Sequence, residues 1–241
     1  MRPFVPFSED HLIAIALAFV APVLLVVAVR PLGRPYARGL SLFLAALLAV
    51  NWFLWMGLLY RKGWLTLGSV LPLNLCDWAT IVTVITLVRP TQRTFELSYF
   101  WALAGTLQGM MTPDVVYDFP DWQFVLFFVF HSGIIASVLY LIFAEGLRPV
   151  PASIPRVILW TLFYAAVAGA ADWLLGTNYG FLRAKPPFHT VFDFLPPWPL
   201  YIPVLIVLGV LSTFVYYAPW FLVDQWKRAR ERSAIQPRTS P

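Results

Sequence analysis

The sequence predicts an all-α, polytopic membrane protein folded as a bundle of seven transmembrane helices. Hydrophobic residues make up 60% of the 241 positions and charged residues only 12%, whereas a soluble domain carries roughly a quarter charged residues. Seven apolar segments also approach the roughly 20 residues that a transmembrane helix needs. These segments are 12–29, 38–60, 69–88, 97–112, 122–143, 156–175 and 200–222.

The first segment follows an acidic pair, Glu9 and Asp10, and no small-residue cleavage site comes after it. A secretory signal peptide has a basic start and ends at such a site. We therefore predict that the first segment is retained as a span. The second segment, 38–60, meets the length requirement without interruption.

The third segment opens with polar residues where a membrane helix normally carries apolar ones, namely Asn74, Cys76 and Asp77, close to Pro72. An ionisable group inside a span is costly, so Asp77 is by default a functional-site hypothesis. Asn74 and Asp77 share one helix face, and Cys76 points about 100° away from Asp77. We expect Asp77 to be buried and bonded to a side chain of another helix.

The fourth segment, 97–112, is the shortest and contains Gly105, Thr106, Gln108 and Gly109. Polar side chains facing lipid are costly, so these residues are predicted to pack against protein. Gly105 and Gly109 form a small-xxx-small pair, which is typical of a close helix contact.

The remaining segments complete one membrane domain over residues 1–223. The fifth contains His131, the sixth ends near Asp172, and the seventh leads into a basic, proline-containing tail over 224–241 that is predicted to be disordered. The only long connection is 176–199, and no second soluble domain is predicted.

The basic residues predict the orientation. Under the positive-inside rule, the cytoplasmic side of a membrane protein carries most of the lysines and arginines. Seven spans divide the basic residues of this chain between the two sides. One side receives five of the 17, which are Arg2, Arg61, Lys62, Arg183 and Lys185. The other receives Arg30, Arg34, Arg38, Arg89, Arg93, Arg148, Arg156, Lys227, Arg228, Arg230, Arg232 and Arg238. This predicts an external N-terminus and a cytoplasmic C-terminus in the cell membrane.

This topology collects the polar residues in the outer half of the bundle. Cys76 and His131 fall at similar depths, roughly 10 and 14 Å at about 1.5 Å per residue. His131 is the one histidine inside a predicted span, whereas His11 and His189 lie outside the spans. The candidate binding residues are Asn74, Asp77, Gln108, Asp172, Asn178, Arg183 and Lys185.

Cys76 and His131 are the candidate catalytic pair. A cysteine nucleophile needs a base or positive charge that lowers its pKa, and a sole cysteine with a sequence-distant histidine is a usual arrangement in cysteine enzymes. Two structural alternatives remain: a small packing cysteine, and a histidine that bonds a carbonyl or hydroxyl across a helix interface.

Other site types are not predicted. Zinc sites need three or four histidine, cysteine or carboxylate ligands, and the spans supply one histidine and one cysteine. No glycine-rich phosphate loop is present, so neither metal nor cofactor is predicted. The basic residues are scattered between apolar spans, which argues against nucleic acid and leaves membrane lipids as the expected partners.

Several motifs together resemble the YwaF family of bacterial integral membrane proteins, over about residues 5–222. They are Leu71-Pro-Leu-Asn-Leu-Cys76, Glu96-Leu-Ser-Tyr-Phe-Trp101, Ala104-Gly-Thr-Leu-Gln108, Thr112-Pro-Asp114, Phe130-His-Ser-Gly133, Asn178-Tyr-Gly-Phe-Leu-Arg-Ala-Lys-Pro186, Asp193 and Pro197-Trp-Pro199. Many members of that family carry histidine where this chain has Asn74. The family is similar to eukaryotic membrane acyltransferases that remodel ether phospholipids and, more distantly, to membrane hydrolases of fatty-acid esters.

The resemblance implies a lipid acyltransferase or hydrolase, with Cys76 as the nucleophile and His131 as the base. Asn74 or Gln108 would then donate to the oxyanion, and Lys185 or Arg183 would hold a phosphate headgroup. The alternatives are a non-catalytic carrier or lipid-binding protein that uses the same cavity, and an assembly subunit without a small ligand. The sequence leaves the oligomeric state open.

Overall fold

The computed structural model describes residues 2–187 and 190–235, with side chains as far as residue 232. Within these residues the fold is helical, and the extended segments form one isolated bridge, between Pro3 and Tyr117. The α-helices are α1 Glu9–Val29, α2 Arg34–Lys62, α3 Leu67–Val70, α4 Leu75–Val88, α5 Gln92–Trp101, α6 Leu107–Met111, α7 Trp122–Phe143, α8 Ser153–Leu175 and α9 Tyr201–Ile235. A π-helical turn, Ala102–Thr106, joins α5 to α6.

Six helical stretches among these residues are long and apolar enough to cross a membrane. They contain α1, α2, α3 with α4, α7, α8 and α9. Their sides expose many large apolar residues, as a surface in contact with lipid requires. The prediction of an all-α, multi-pass membrane protein is therefore confirmed.

The fourth predicted segment is present as a helix made of three pieces. It runs from α5 through the π-helical turn into α6. At its start, Gln92 donates a hydrogen bond to the carbonyl of Arg148 over 2.8 Å. Near its end, the carbonyl of Met110 is 2.9 Å from Nε2 of His11. The segment thus runs between the same two ends of the bundle as the long helices, although it is not one of the six.

The two ends of the bundle differ in their contacts. At one end, which we call the site end, Lys62 at the end of α2 pairs with Asp121 at the start of α7 over 2.9 Å. At the other, the arginine-rich end, Arg38 at the start of α2 donates to the carbonyls of Leu87 and Val88 at the end of α4, each over 2.9 Å.

A buried ion pair fixes the start of the fourth segment. Glu96 is only 1% exposed, and its carboxylate accepts hydrogen bonds from Nε and Nη2 of Arg156 on α8 over 2.8 and 2.6 Å. Gln92 donates to the same carboxylate over 3.0 Å. The charge of Glu96 is therefore paired and kept away from lipid, as an intramembrane carboxylate requires.

Helix α9 continues beyond the apolar segment. Its 35 residues are about 52 Å long at 1.5 Å per residue, against a hydrocarbon core of about 30 Å. The structure thus has helix over 224–235, where the sequence predicts a disordered tail, while 236–241 lie outside the described residues. Asp224 pairs with Arg148 over 2.5 Å, and this contact holds the extension beside the arginine-rich end.

Candidate functional site

The predicted third span is divided just before Cys76. Helix α3 ends at Val70, Leu71 is extended with φ −83° and ψ 137°, and Asn74 caps α4, which begins at Leu75. Proline lacks a donor N–H and disfavours helix at the preceding residue, so Pro72 accounts for the break. Cys76 is consequently the second residue of a 14-residue helix rather than a residue two turns inside a longer one.

Asn74 and Asp77 form a capping box at the start of α4. Oδ2 of Asp77 accepts a hydrogen bond from the backbone N–H of Asn74 over 2.9 Å, and the Asn74 side chain accepts from the backbone N–H of Asp77. Such reciprocal bonds satisfy donors that a helix start otherwise leaves free. Asp77 is half-buried, and its hydrogen bond lies within its own helix, contrary to the expected bond to another helix.

Cys76 is half-buried, and its thiol faces the fourth segment. A Cβ atom on Gly105 would lie 3.6 Å from Sγ of Cys76, so the thiol packs where Gly105 lacks a side chain. Gly105 belongs to the π-helical turn Ala102–Thr106. Turns of this kind are rare and are frequently found at functional sites.

The imidazole of His131 packs one turn further along the same segment. Nδ1 lies 2.8 Å from the carbonyl oxygen of Phe127. A carbonyl can only accept, so Nδ1 is the donor and Nε2 carries the lone pair of the neutral ring. A Cβ atom on Gly109 would lie 3.1 Å from Nε2, and the Phe127 ring stacks on the imidazole at 4.0 Å.

Gly105 and Gly109 thus bring α4 and α7 close to the fourth segment, and the predicted close helix contact is confirmed. Residues four apart on a helix lie on one face, with Cβ positions about 5–6 Å apart. Cys76 packs against the first glycine and His131 against the second. The two candidate catalytic side chains therefore lie along one face of one helix.

His11 is a buried histidine with a different role. It lies in α1, just before the predicted first span, and both of its nitrogens are bonded. Nδ1 accepts from the backbone N–H of Phe7 over 2.8 Å, and Nε2 donates to the carbonyl of Met110 over 2.9 Å. It therefore ties α1 to the end of α6. His189 lies outside the described residues.

Asp172 organises the loop that follows α8. It is buried, and its Oδ1 accepts from the hydroxyl of Thr177 over 2.8 Å and from the backbone N–H of Tyr179 over 2.7 Å. Arg183 donates from Nη1 to the Asp172 carbonyl over 3.4 Å. These bonds close the loop back onto the end of α8.

The other predicted binding residues bond mainly to their own segments. Oδ1 of Asn178 accepts from the backbone N–H groups of Arg183 and Ala184 over 3.0 and 2.8 Å. Lys185 donates to the carbonyl of Leu195 over 2.7 Å. Gln108 is exposed and lies 3.5 Å from the hydroxyl of Thr112, one turn along its own helix.

Tyr179 joins this loop to the break before α4. Its hydroxyl donates to the carbonyl of Leu67 and accepts from the backbone N–H of Leu71 over 3.2 Å. Burial raises the pKa of the Tyr179 phenol, so the hydroxyl keeps its proton as a donor. Nearby, the N–H of Gly180 approaches Oδ1 of Asn74 at 3.4 Å. The loop is therefore fixed beside the helix start that carries Cys76.

Tyr164 on α8 is not among the residues that the sequence predicts for the site. Its side chain is 5% exposed, and its hydroxyl has no hydrogen-bond partner among the described residues. The ring packs edge-on against Trp78 with 5.4 Å between centroids. The ring also packs in one apolar cluster with Leu75, the residue before Cys76.

A separate apolar groove of about 660 Å³ runs between α1, α2 and α7. Along α1 it extends from Asp10 to Leu25, which is about 22 Å at 1.5 Å per residue. Its walls include Leu17, Leu44, Phe128 and Ala136, and its polar end is at Asp10, which pairs with Arg2 over 2.6 Å.

A family model described as the TMEM164 family matches residues 6–217. No curated protein matches the chain, and no solved structure does. This match confirms neither the YwaF name nor the similarity to acyltransferases.

Proposed function

The chain belongs to the TMEM164 family of membrane proteins, and on that premise we propose that it is a lipid acyltransferase or hydrolase. Cys76 is the nucleophile and His131 is the base. Its substrates are membrane lipids, which reach the site from the bilayer. The similarity of the YwaF motifs to acyltransferase relatives supports the same reaction class.

One observation carries this proposal: Cys76 and His131 pack against Gly105 and Gly109, one turn apart on the same helix. The residue before Cys76 begins α4, and the positive end of a helix dipole stabilises a thiolate there. The hydrogen bond to the Phe127 carbonyl leaves Nε2 of His131 without a proton, as a base requires. The histidine is thus in the form that a general base needs.

The reaction proceeds in two acyl transfers. Nε2 of His131 takes the proton of Cys76, and the thiolate adds to the carbonyl carbon of a lipid ester. Collapse breaks the ester C–O bond, the leaving alcohol takes the proton back, and a thioester remains on Cys76. Water, or the hydroxyl of a second lipid, then attacks the thioester. The Asn74 amide is a candidate oxyanion donor, and Arg183 or Lys185 the candidate phosphate contact.

The proposal includes seven crossings with the site end outside the cell. The segment 92–111 runs between the two ends of the bundle, so an odd number of passages separates the termini. Arg38, Arg148 and Arg156 gather at the opposite end, which the positive-inside rule assigns to the cytoplasm.

The experiment is acyl capture by the purified protein in phospholipid nanodiscs that contain an isotope-labelled ester lipid. We expect an acyl adduct on Cys76, found by mass spectrometry after rapid acid quench. The variants Cys76→Ala and Cys76→Ser should carry no adduct and should exchange no label while staying folded. Full label exchange by Cys76→Ala would overturn the assignment of the nucleophile.

A second candidate function, lipid binding without chemistry, is favoured by the groove between α1, α2 and α7. The groove is longer than one leaflet of the hydrocarbon core, about 15 Å, and its polar end carries Arg2 and Asp10. Under this alternative Ala21→Trp, which fills the groove, should reduce the lipid that co-purifies with the protein. Ala16→Trp, on the exposed surface of α1 outside the groove, is the matched control.

A further inference from the structure

The unpartnered hydroxyl of Tyr164 points to a role that neither the family match nor the sequence motifs assign. We propose that Tyr164 donates its hydroxyl proton in a hydrogen bond to the oxyanion that forms when the Cys76 thiolate adds to an ester carbonyl. This inference rests on the proposed function and adds a third residue to the site.

A buried hydroxyl without a partner is unusual. The large majority of buried side-chain polar atoms have at least one hydrogen-bond partner, and an unsatisfied one costs about 1–3 kcal/mol. Tyr164 is 5% exposed and its hydroxyl has none among the described residues. A group kept in this state is ready to bond to a charge that appears only during the reaction.

The position of the hydroxyl suits the oxyanion. Tyr164 packs against Leu75 and Trp78 of α4, and Leu75, the residue before Cys76, is the first residue at the positive end of that helix. A thiolate on Cys76 would place the carbonyl oxygen near the start of that helix. The backbone N–H of Leu75 and the hydroxyl of Tyr164 then supply two donors, as oxyanion holes commonly do.

The surrounding groups hold the ring in this position. Trp78 packs edge-on against it at 5.4 Å between centroids. Gly180 approaches from the loop, where a Cβ atom would lie 2.5 Å from the hydroxyl. The ring therefore has little freedom to turn away, and a donor that is already in place costs no reorganisation when the charge develops.

Neighbouring polar groups are less suited to this role. Oδ2 of Asp172 is also buried and unpartnered, but a carboxylate only accepts and would repel the oxyanion. Gln108 is exposed and lies beside Thr112 on its own helix.

The step balances without an oxidant or cofactor. The Sγ–C bond forms as the carbonyl π pair moves to oxygen, and the hydroxyl of Tyr164 donates to that oxygen without losing its proton. When the intermediate collapses, the C=O bond is restored and the ester C–O bond breaks. The leaving alcohol takes its proton from Nε2 of His131.

The test compares two reactions of the same thiol. In the first, the p-nitrophenyl ester of palmitic acid in detergent micelles acylates Cys76, and intact-mass spectrometry follows the rate. We expect Tyr164→Phe to slow it about 100-fold, the range for loss of one oxyanion donor. In the second, an apolar iodoacetamide alkylates the thiol by direct displacement. No tetrahedral oxyanion forms there, so Tyr164→Phe should react at the wild-type rate.

Tyr201→Phe is the matched control. Its hydroxyl donates to the carbonyl of Phe181 over 2.5 Å, so its removal should lower the melting temperature and leave acylation unchanged. Tyr164→Phe should keep or raise the melting temperature, because it removes a buried hydroxyl that has no bond to lose.

The outcomes separate the role of Tyr164 from the reactivity of Cys76. Equal acylation rates for wild type and Tyr164→Phe would overturn the role of Tyr164 and leave the Cys76 reaction intact. An equal slowing of acylation and alkylation would also overturn it, because access to the thiol would then have changed. A wild-type protein that is alkylated and not acylated would overturn the proposed function itself, and this inference with it.

Discussion

A Cβ atom on Gly180 would lie 2.5 Å from the hydroxyl of Tyr164. Real side chains do not approach so closely, so the loop after α8 and the ring on α8 fit together only because residue 180 is glycine. Gly180 also has φ +60°, where an L-residue costs roughly 1–2 kcal/mol. Steric overlap and backbone conformation both require glycine at this position.

We predict that Gly180→Ala lowers the unfolding free energy by roughly 2–5 kcal/mol, the sum of that strain and about 1–3 kcal/mol of overpacking. Adding Tyr164→Phe should recover the free energy that is lost to overpacking, because the nearest remaining ring atom would be 3.6 Å from the new Cβ atom. Thermal unfolding in detergent measures both. Gly63 has φ +70° and nothing within 4 Å of its Cβ position. Gly63→Ala should therefore lose unfolding free energy through backbone strain alone, and Tyr164→Phe should change its stability no more than it changes that of the wild type. Additive effects at 180 and 164 would contradict the overlap.

We predict that Gly109→Ala impairs acyl transfer more than Gly105→Ala. A Cβ atom at 109 would lie 3.1 Å from Nε2 of His131, which forces the base to move, whereas at 105 the thiol of Cys76 would be 3.6 Å away, an ordinary contact. A displacement of about 1 Å can cost about 100-fold in rate. Acylation rates of Cys76 in the two variants provide the measurement. A lower rate for Gly105→Ala than for Gly109→Ala would count against the arrangement of the two groups.

We predict that Arg156→Ala lowers the melting temperature more than Arg2→Ala does, because it leaves the buried carboxylate of Glu96 without its charged partner. Arg2→Ala breaks the exposed pair with Asp10 and should cost less than about 1 kcal/mol. Melting temperatures of the two variants provide the comparison. Equal effects would show that the Glu96 pair does not fix the start of the fourth segment.

The sequence predicted the long helices well because their signal is local. An apolar run of about 20 residues identifies each span without knowledge of its neighbours. The same signal failed at residues 67–75, where hydropathy continues through a break that depends on Pro72 and on the capping pair Asn74 and Asp77. The sequence predicts a costly intramembrane charge at Asp77. In the structure, the Asp77 carboxylate accepts a hydrogen bond from the backbone of Asn74 and so caps the start of α4.

The arrangement of the site was only partly predictable. The residue types inside the spans identified Cys76 and His131 as candidates, and the small residues at 105 and 109 indicated a helix contact. That these two glycines lie against the thiol and the imidazole depends on the packing of three helices. Tyr164 gave no signal, because an aromatic residue in an apolar span is ordinary and only burial without a partner distinguishes it.

The last prediction concerns topology. In a Cys76→Ala background, cysteines at positions 64 and 116 should both react with a membrane-impermeant thiol reagent from outside the cell. The structure places both positions at the site end, because Lys62 lies over the rings of Trp64 and Tyr117 at 4.7 and 5.1 Å. Thr91→Cys, just before the fourth segment, should react only from the cytoplasm.

These three positions separate the fold from its orientation. If 64 and 116 react together from the cytoplasm and 91 from outside, the bundle is correct and the orientation predicted by the positive-inside rule is reversed. If 91 and 116 react from the same side, the segment 92–111 does not cross, and the count of seven fails. The hydrogen bonds from Gln92 to Arg148 and from His11 to Met110 favour a crossing, because they hold the two ends of that segment at opposite ends of the bundle.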